Sequence, residues 1–210
     1  SLDNYYMAAT FSEGNCKIVT GTSNTAYNTG TFGLTAGKWY WECETDDNNA
    51  YERTGIASAP ATSASHGIGD GTTAFDWGYR YGGSYQNNGN STSYGDSYTT
   101  NDTIGVALDL DNNKLYFAKN NTWQDSGDPT DGSGAISITA VASNGSGIYF
   151  PALGTETEGA AQTWLTNFGG SSGFTIGSAQ NDANGYGVFE FAPPSGFLAL
   201  CTKNLGSDGG

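Results

Sequence analysis

Positive charge is what this chain has least of. Seven Lys and Arg stand against 21 Asp and Glu, for a formal net charge of −14 and an isoelectric point near 4.1. Such a field repels phosphate backbones and anionic membrane surfaces, and no basic patch opposes it, which excludes nucleic-acid binding. Histidine is scarcer still. His66 is the only one, so the usual acid–base and nucleophile–histidine pairs lack players. Three cysteines, Cys16, Cys43 and Cys201, cannot all pair within the chain and fit neither a disulfide framework nor a zinc site. Buried free thiols are expected, with a Cys16–Cys201 bridge between terminal strands as the alternative. No apolar run approaches the ~20 residues of a membrane-spanning helix. Ser1-Leu2-Asp3-Asn4 carries neither the basic nor the apolar part of a signal peptide. A chain that opens without Met is expected to be cut from a longer protein.

Glycine and aromatics are abundant instead, with 32 Gly, 13 Tyr, 10 Phe and 5 Trp in 210 residues. Aromatics in that number supply a core and argue against disorder, while Gly favours turns over helices. Helical periodicity is nearly absent and period-two alternation recurs. Lys38–Glu44 sends Trp39, Trp41 and Cys43 to one face and Tyr40, Glu42 and Glu44 to the other. Phe75–Tyr81 sends four aromatics to one face and Asp76, Gly78 and Arg80 to the other. Thr103–Leu110 and Lys114–Ala118 flank Asp111-Asn112-Asn113, a strong hairpin signal. Further strands are predicted at Ile136–Val141, Gly147–Leu153, Thr163–Phe168 and Gly196–Thr202. Residues 57–73, 82–100, 120–134, 155–162 and 169–185 read as loops, where binding residues concentrate on a rigid scaffold. The reading is one all-β domain: residues 1–35 are strands leading into a sandwich core at 36–202, and 203–210 form a polar tail.

Several residues invite a chemical reading. Glu42, Glu44 and Asp46 alternate on one strand, as the acid and nucleophile of some β-sandwich glycoside hydrolases do; the competing reading makes Glu42 a structural hydrogen-bond acceptor. Gly169-Gly170-Ser171-Ser172-Gly173 matches the G-x-S-x-G nucleophile elbow, but its flanks look non-helical. Asp109, Asp111, Asn112 and Asn113 contain calcium-type oxygens yet are accounted for by a hairpin turn. Asp125, Asp128 and Asp131 are calcium candidates in an acidic loop. Arg80 is read either as paired with Asp76 on its own strand face or as an anchor in a binding groove. Tyr85, Tyr94, Tyr98 and Trp123 sit in or beside loops rich in Asn and Ser, the mixture that contacts saccharides and adaptable protein surfaces. The ligand-binding set is therefore Trp123, Tyr85, Asn87, Asn88, Arg80 and Tyr94, with Trp123 expected to be the exposed ring. The N-x-S/T triplets at Asn90, Asn101, Asn120 and Asn144 arise readily in so Asn- and Ser-rich a chain.

Taken in order, several segments resemble SPRY domains. Ala36-Gly37-Lys38-Trp39-Tyr40-Trp41-Glu42 is similar to the family's SGKWYWEV strand. Tyr79–Gly83, Tyr85–Gly89, Tyr94–Tyr98 and Asp102–Asp111 resemble its GY, Y-x-NG and GDVIGV-x-LDLDNG segments. Lys114–Asn120 matches the return strand, with Asn121 where the family has Gly, and Tyr149–Ala152 and Asn167–Gly169 match YPAV and NFG. The closing Pro193–Leu205 resembles the tail of SPRY modules in large virion proteins of bacteriophages, particularly marine ones. The resemblance implies a bent sandwich of two antiparallel sheets and a non-catalytic recognition role. The expected setting is a virion surface or the extracellular space, and the expected ligand a host-surface glycan or a neighbouring virion protein. No cofactor is expected beyond a possible calcium ion. The alternatives are a virion spacer without a ligand, and a glycoside hydrolase built on Glu42 and Glu44.

Overall fold

Two faces of one strand organise the molecule. In the computed structural model, which describes residues 2–3, 9–22, 25, 27–46, 51–62, 66–155, 161–170 and 173–208, the Trp-rich segment is strand β5 (Lys38–Thr45). Trp39, Trp41 and Cys43 turn inward to the main core, as the alternation predicts. The opposite face is not solvated. Tyr40 and Glu42 are buried beneath Phe189, Phe197 and Ala199 of the C-terminal segment.

The first sheet runs, edge to edge, β1 (Leu2–Asp3), β4 (Tyr27–Gly30), β14 (Phe150–Thr155), β6 (Glu52–Ala57), β7 (Trp77–Arg80), β8 (Ser84–Asn87) and β9 (Asn90–Ser93). The second runs β12 (Thr122–Trp123), β11 (Lys114–Lys119), β10 (Thr103–Asp109), β5, β15 (Thr163–Asn167), β3 (Lys17–Val19) and β2 (Thr10–Ser12). In this second sheet β13 (Ile136–Ser137) pairs with β11, and β16 (Leu198–Ala199) pairs with β5. Among the described residues all strand pairings are antiparallel except that of β16, which lies parallel to β5 beside Trp39 and Tyr40, where β15 does not reach. This is the all-β sandwich the alternation predicted. The expected hairpin is β10–β11, with Asp109 opposite Lys114.

Between the sheets lies a core of Trp39, Trp41, Trp77, Tyr79, Tyr149 and Trp164 with aliphatic side chains from both layers. Tyr79 stacks on Phe117 at 5.1 Å and meets Tyr94 and Tyr98. These aromatic contacts add directionality to burial.

Some expected elements come out differently. The strand expected over 136–141 shortens to Ile136–Ser137, and a 3-10 turn occupies Val141–Ser143. Residues 82–100 contain the hairpin β8–β9 instead of an unbroken loop. The tail expected from residue 203 contributes to helix α1 (Thr202–Asp208), whose Asn204 is fully buried and donates to Asp182 Oδ2, 2.7 Å, and to the Ala199 carbonyl, 2.8 Å. No helix among the described residues is long and apolar enough to cross a membrane. All three cysteines are free thiols, so the Cys16–Cys201 alternative falls; Cys43 is fully buried, and burial raises its pKa to about 12.

Candidate functional site

The residues expected to bind a ligand separate into buried and displayed groups. Tyr94 is buried in the main core, where its hydroxyl accepts the Phe117 N–H at 3.2 Å, and Tyr98 is buried beside it. Trp123 is half-buried, packed on the outer cluster and edge-on to Tyr116 at 6.4 Å, so the ring expected to be exposed is a packing residue. Pairing of β12 with β11 turns it onto that face. Arg80 ends β7, and it does not share a salt bridge with Asp76. Four residues along a strand are ~13 Å apart, and the Asp76 carboxylate is engaged by Ser58 N at 3.1 Å and His66 Nε2 at 3.2 Å. Asn87 spends its amide on the carbonyls of Ala74, 2.9 Å, and Asp76, 2.8 Å, which ties hairpin β8–β9 to the preceding loop.

Tyr85 is half-buried, packed on the main core and edge-on to Tyr94 at 5.8 Å, so of this set Asn88 remains displayed on that hairpin. Asn88 and Gly89 form its turn with φ of 49° and 75°, the left-handed pair that a two-residue hairpin of matching twist requires. The tip is held from behind: Gly89 N donates to the Gly69 carbonyl at 2.9 Å. A Cβ at Gly69, itself at φ 76°, would overlap the Gln86 carbonyl oxygen, so only glycine lets the loop lie against the hairpin. All four residues of β9, Asn90-Ser91-Thr92-Ser93, are exposed, and β9 is the last strand of its sheet. From Tyr81 to Gly95 no residue carries a charge, in a chain of net charge −14. Asn87 and Asn90 flank the two-residue turn and face each other, so Ser91 and Ser93 direct their main-chain N–H and C=O outward. The edge carries none of the Lys, Pro or inward charge that usually blocks strand addition. The sequence signal was the Asn88-Gly89 dipeptide together with the uncharged run around it.

The acidic candidates serve their own loops. Asp128 Oδ1 accepts from Thr130 N, 2.8 Å, and Thr130 Oγ1, 2.6 Å, while Asp131 Oδ1 accepts from Ser133 N, 2.8 Å. Asp125 is exposed in a 3-10 turn. Among the described residues no group of three or more His, Cys, Asp or Glu converges to hold a metal. Glu42 is wholly buried and its oxygens are taken: Oε1 accepts from Tyr40 Oη, 3.0 Å, and Phe191 N, 2.8 Å; Oε2 accepts from Asn167 Nδ2, 3.2 Å, and Glu190 N, 2.9 Å. Burial raises its pKa against the pull of these bonds. Glu44 accepts from Thr103 Oγ1 at 2.6 Å. Neither water nor a sugar reaches Glu42, which pins the C-terminal segment to the sheet as the structural reading held. Ser171 and Ser172 of the elbow match lie outside the described residues.

Both the sheet order and the match of motifs along the chain meet in one family. The SPRY domain family model matches residues 38–160. The chain belongs to the SPRY domain family. A curated relative, ATP-dependent RNA helicase DDX1 of Xenopus laevis, is 32% identical over 90 residues, 43% of this chain and 11% of the helicase. This SPRY domain thus spans only about a tenth of that relative. Among solved structures, the SPRY domain of human HERC1 matches with a TM-score of 0.61 at 18% identity, covering 79% of this chain and 96% of that one. Stonustoxin matches with a TM-score of 0.55 at 22% identity, covering 79% of this chain and 26% of that one. At these identities the structural likeness establishes the fold. SPRY domains are generally non-catalytic modules that bind protein partners, in keeping with the closed environment of Glu42.

Proposed function

We propose that this SPRY domain is a non-catalytic recognition module of a phage virion protein, displayed on the particle surface, and that it binds a neighbouring virion protein along the edge of hairpin β8–β9. One observation carries the reading: an uncharged, fully exposed edge strand, with its tip clamped from behind, on a molecule otherwise strongly acidic. A preorganised edge offers main-chain hydrogen bonds to an extended segment at little ordering cost. The virion setting is supported by the likeness of Pro193–Leu205 to the tails of phage SPRY modules. A host-surface glycan is the second reading, favoured by the amides and hydroxyls of Asn88, Asn90, Ser91 and Thr92 beside the half-buried ring of Tyr85.

Ser91→Pro separates these readings. The Ser91 N–H points away from β8, so proline removes an outward donor and leaves the hairpin ladder whole. Biolayer interferometry of immobilised wild-type and variant domain, against the parent particle's other structural proteins and a panel of host polysaccharides, with calcium and with chelator, is the test. The expected result is a protein partner whose affinity falls at least tenfold in the variant while the melting temperature stays within a few degrees. Polysaccharide binding that survives Ser91→Pro but is lost in Asn88→Gly replaces this reading with the glycan one, and polysaccharide binding that survives both variants lies off the hairpin and supports neither. Silence toward every probe leaves a spacer module and refutes both.

A further inference from the structure

A different surface, on the second sheet, sets charges of alternating sign side by side. Lys38, Asp109 and Lys114 are direct cross-strand partners in β5, β10 and β11, so their side chains share the outer face of three adjacent strands. The loop 128–134 closes over this row. It is braced by Gly132 N donating to the Asp128 carbonyl at 2.8 Å and by a bridge between Asp128 and Ser133. Between row and loop lies a cleft of about 140 Å³, lined by Lys38, Asp109, Lys114, Thr130, Asp131 and Gly132 among others and polar almost throughout.

The hydrogen-bond inventory of this cleft is incomplete. Asp109 is satisfied by Lys38 Nζ at 2.9 Å and by the backbone and amide nitrogens of Asn112 at 3.0 and 2.8 Å. Lys114 Nζ donates to the Gly132 carbonyl at 2.9 Å and, among the described residues, forms no ion pair. An ammonium has three N–H groups, so two are left for a ligand. Gly132, at φ 92°, holds a left-handed backbone conformation that favours glycine, and with no Cβ it leaves room for Lys114 Nζ. Asp131 uses one carboxylate oxygen on Ser133, and the Thr130 hydroxyl, donating to Asp128, keeps its lone pairs. One pair along on the same face, the Tyr116 hydroxyl is buried with no hydrogen-bond partner among the described residues, and burial together with Asp109, Asp131 and Asp128 raises its pKa to about 12.

Free cationic donors beside free acceptors select a ligand that carries both an anionic group and hydroxyls. A compact dianion such as phosphate is disfavoured by the two aspartates, and a neutral sugar leaves the Lys114 donors without a charge to meet. We propose that this cleft binds the carboxylate-bearing ring of an acidic saccharide, a uronate, with its carboxylate on the Lys114 ammonium and its ring hydroxyls on Thr130 and Asp131. The net charge of −14 does not forbid this. The four lining charges sum to zero, Asp128 adds one negative charge behind the Thr130 hydroxyl, which engages it, and more distant charges are screened over about 8 Å at physiological salt. The site lies on the other sheet from hairpin β8–β9 and does not depend on the reading of that hairpin.

Amide-resolved NMR titration of the labelled domain with glucuronate, glucose and phosphate tests it. Glucuronate is expected to bind with a Kd of about 1 mM, the range for one small ring. Its shifts should concentrate at residues 112–116 and 130–133, and glucose and phosphate should bind at least tenfold more weakly. Lys114→Gln should weaken glucuronate tenfold or more with an otherwise unchanged spectrum. Equal responses to all three probes, shifts elsewhere, no shifts at 20 mM, or full binding by a folded Lys114→Gln domain would each overturn the proposal. Should that variant not fold, Thr130→Val, at an exposed position, takes its place with the same expected loss and the same overturning result.

Discussion

Glu42 is the residue on which sequence chemistry and structural chemistry most nearly collide. Two carboxylates spaced i and i+2 on a strand suggest a hydrolase, yet four donors converge on Glu42, two of them main-chain N–H groups of a segment almost 150 positions away. Every atom around it donates, so an amide nitrogen there has nothing to bond. Glu42→Gln should lose about 1–3 kcal/mol at neutral pH through one unsatisfied group, measured by urea denaturation. A loss below ~0.3 kcal/mol would mean that the C-terminal segment does not depend on this acceptor. Asp109 carries the opposite sign of pH dependence. Burial raises its pKa, but the bonds from Asn112 and the Lys38 ammonium outweigh burial and hold the carboxyl below its ordinary value. Its folded pKa is therefore depressed, so its contribution is present above the ordinary value of ~3.9 and fades as pH falls through the folded value. Asp109→Asn should be clearly less stable than wild type at pH 7, and the gap should shrink toward pH 2.5. A gap that is constant across this range would contradict the ion pair.

At the level of elements, what could be read from the sequence depended on whether apolar alternation marked both faces. Hairpin β10–β11 is legible because apolar runs flank an Asp/Asn turn, and the residues Thr103–Leu110 and Lys114–Ala118 nearly coincide with its strands. Strand β6 escapes because its six buried positions begin with Glu52 and Arg53, charges that sequence reasoning assigns to solvent. Here Arg53 donates to the Ile68 carbonyl at 2.5 Å and Glu52 accepts from Tyr51 N at 3.0 Å. Hairpin β8–β9 escapes for the opposite reason. Its outer strand is polar on both faces, so only Asn88-Gly89 marks it. Of the candidate site, the exposed turn residue Asn88 was legible, while the placement of Tyr85, Tyr94 and Trp123 was not: loop composition says nothing about which ring folds back onto the core. Gly69 governs whether this hairpin is rigid. Gly69→Ala should displace the loop from Gln86 and release the Gly89 bond, with amide exchange accelerating at least tenfold at Gly89 and a loss of about 1–2 kcal/mol. Unchanged protection at Gly89 would show that the clamp lies elsewhere.

For the whole molecule, the decisive feature is that the second sheet is covered on both sides. The inner face meets the first sheet, and the outer face would leave Tyr40 and Tyr116 in water were it not for Phe189, Phe197 and Ala199. Those residues arrive on a stretch with little regular structure, fixed by Glu42 at Glu190 and Phe191 and by Asp182, whose Oδ2 accepts from Ala199 N at 2.9 Å and Asn204 Nδ2 at 2.7 Å. Two buried carboxylate-centred knots thus do for this segment what a sheet ladder does elsewhere. Burial of each phenylalanine is worth about 1.5–3 kcal/mol, so the pair approaches the lower end of a domain's total stability of about 5–15 kcal/mol. A chain ending at residue 175 should therefore expose an aromatic face, bind a hydrophobic dye strongly and associate at micromolar concentration, although its own negative charge resists association at low salt. Phe189→Ala in the full chain gives the graded version: about 3–5 kcal/mol lost in urea denaturation, with dye binding far below that of the truncated chain. If the truncated chain stayed monomeric, failed to bind dye and melted within a few degrees of the intact one, the outer cluster would be a covering that the sandwich does not need, and the stability of the fold would have to be sought entirely between the sheets.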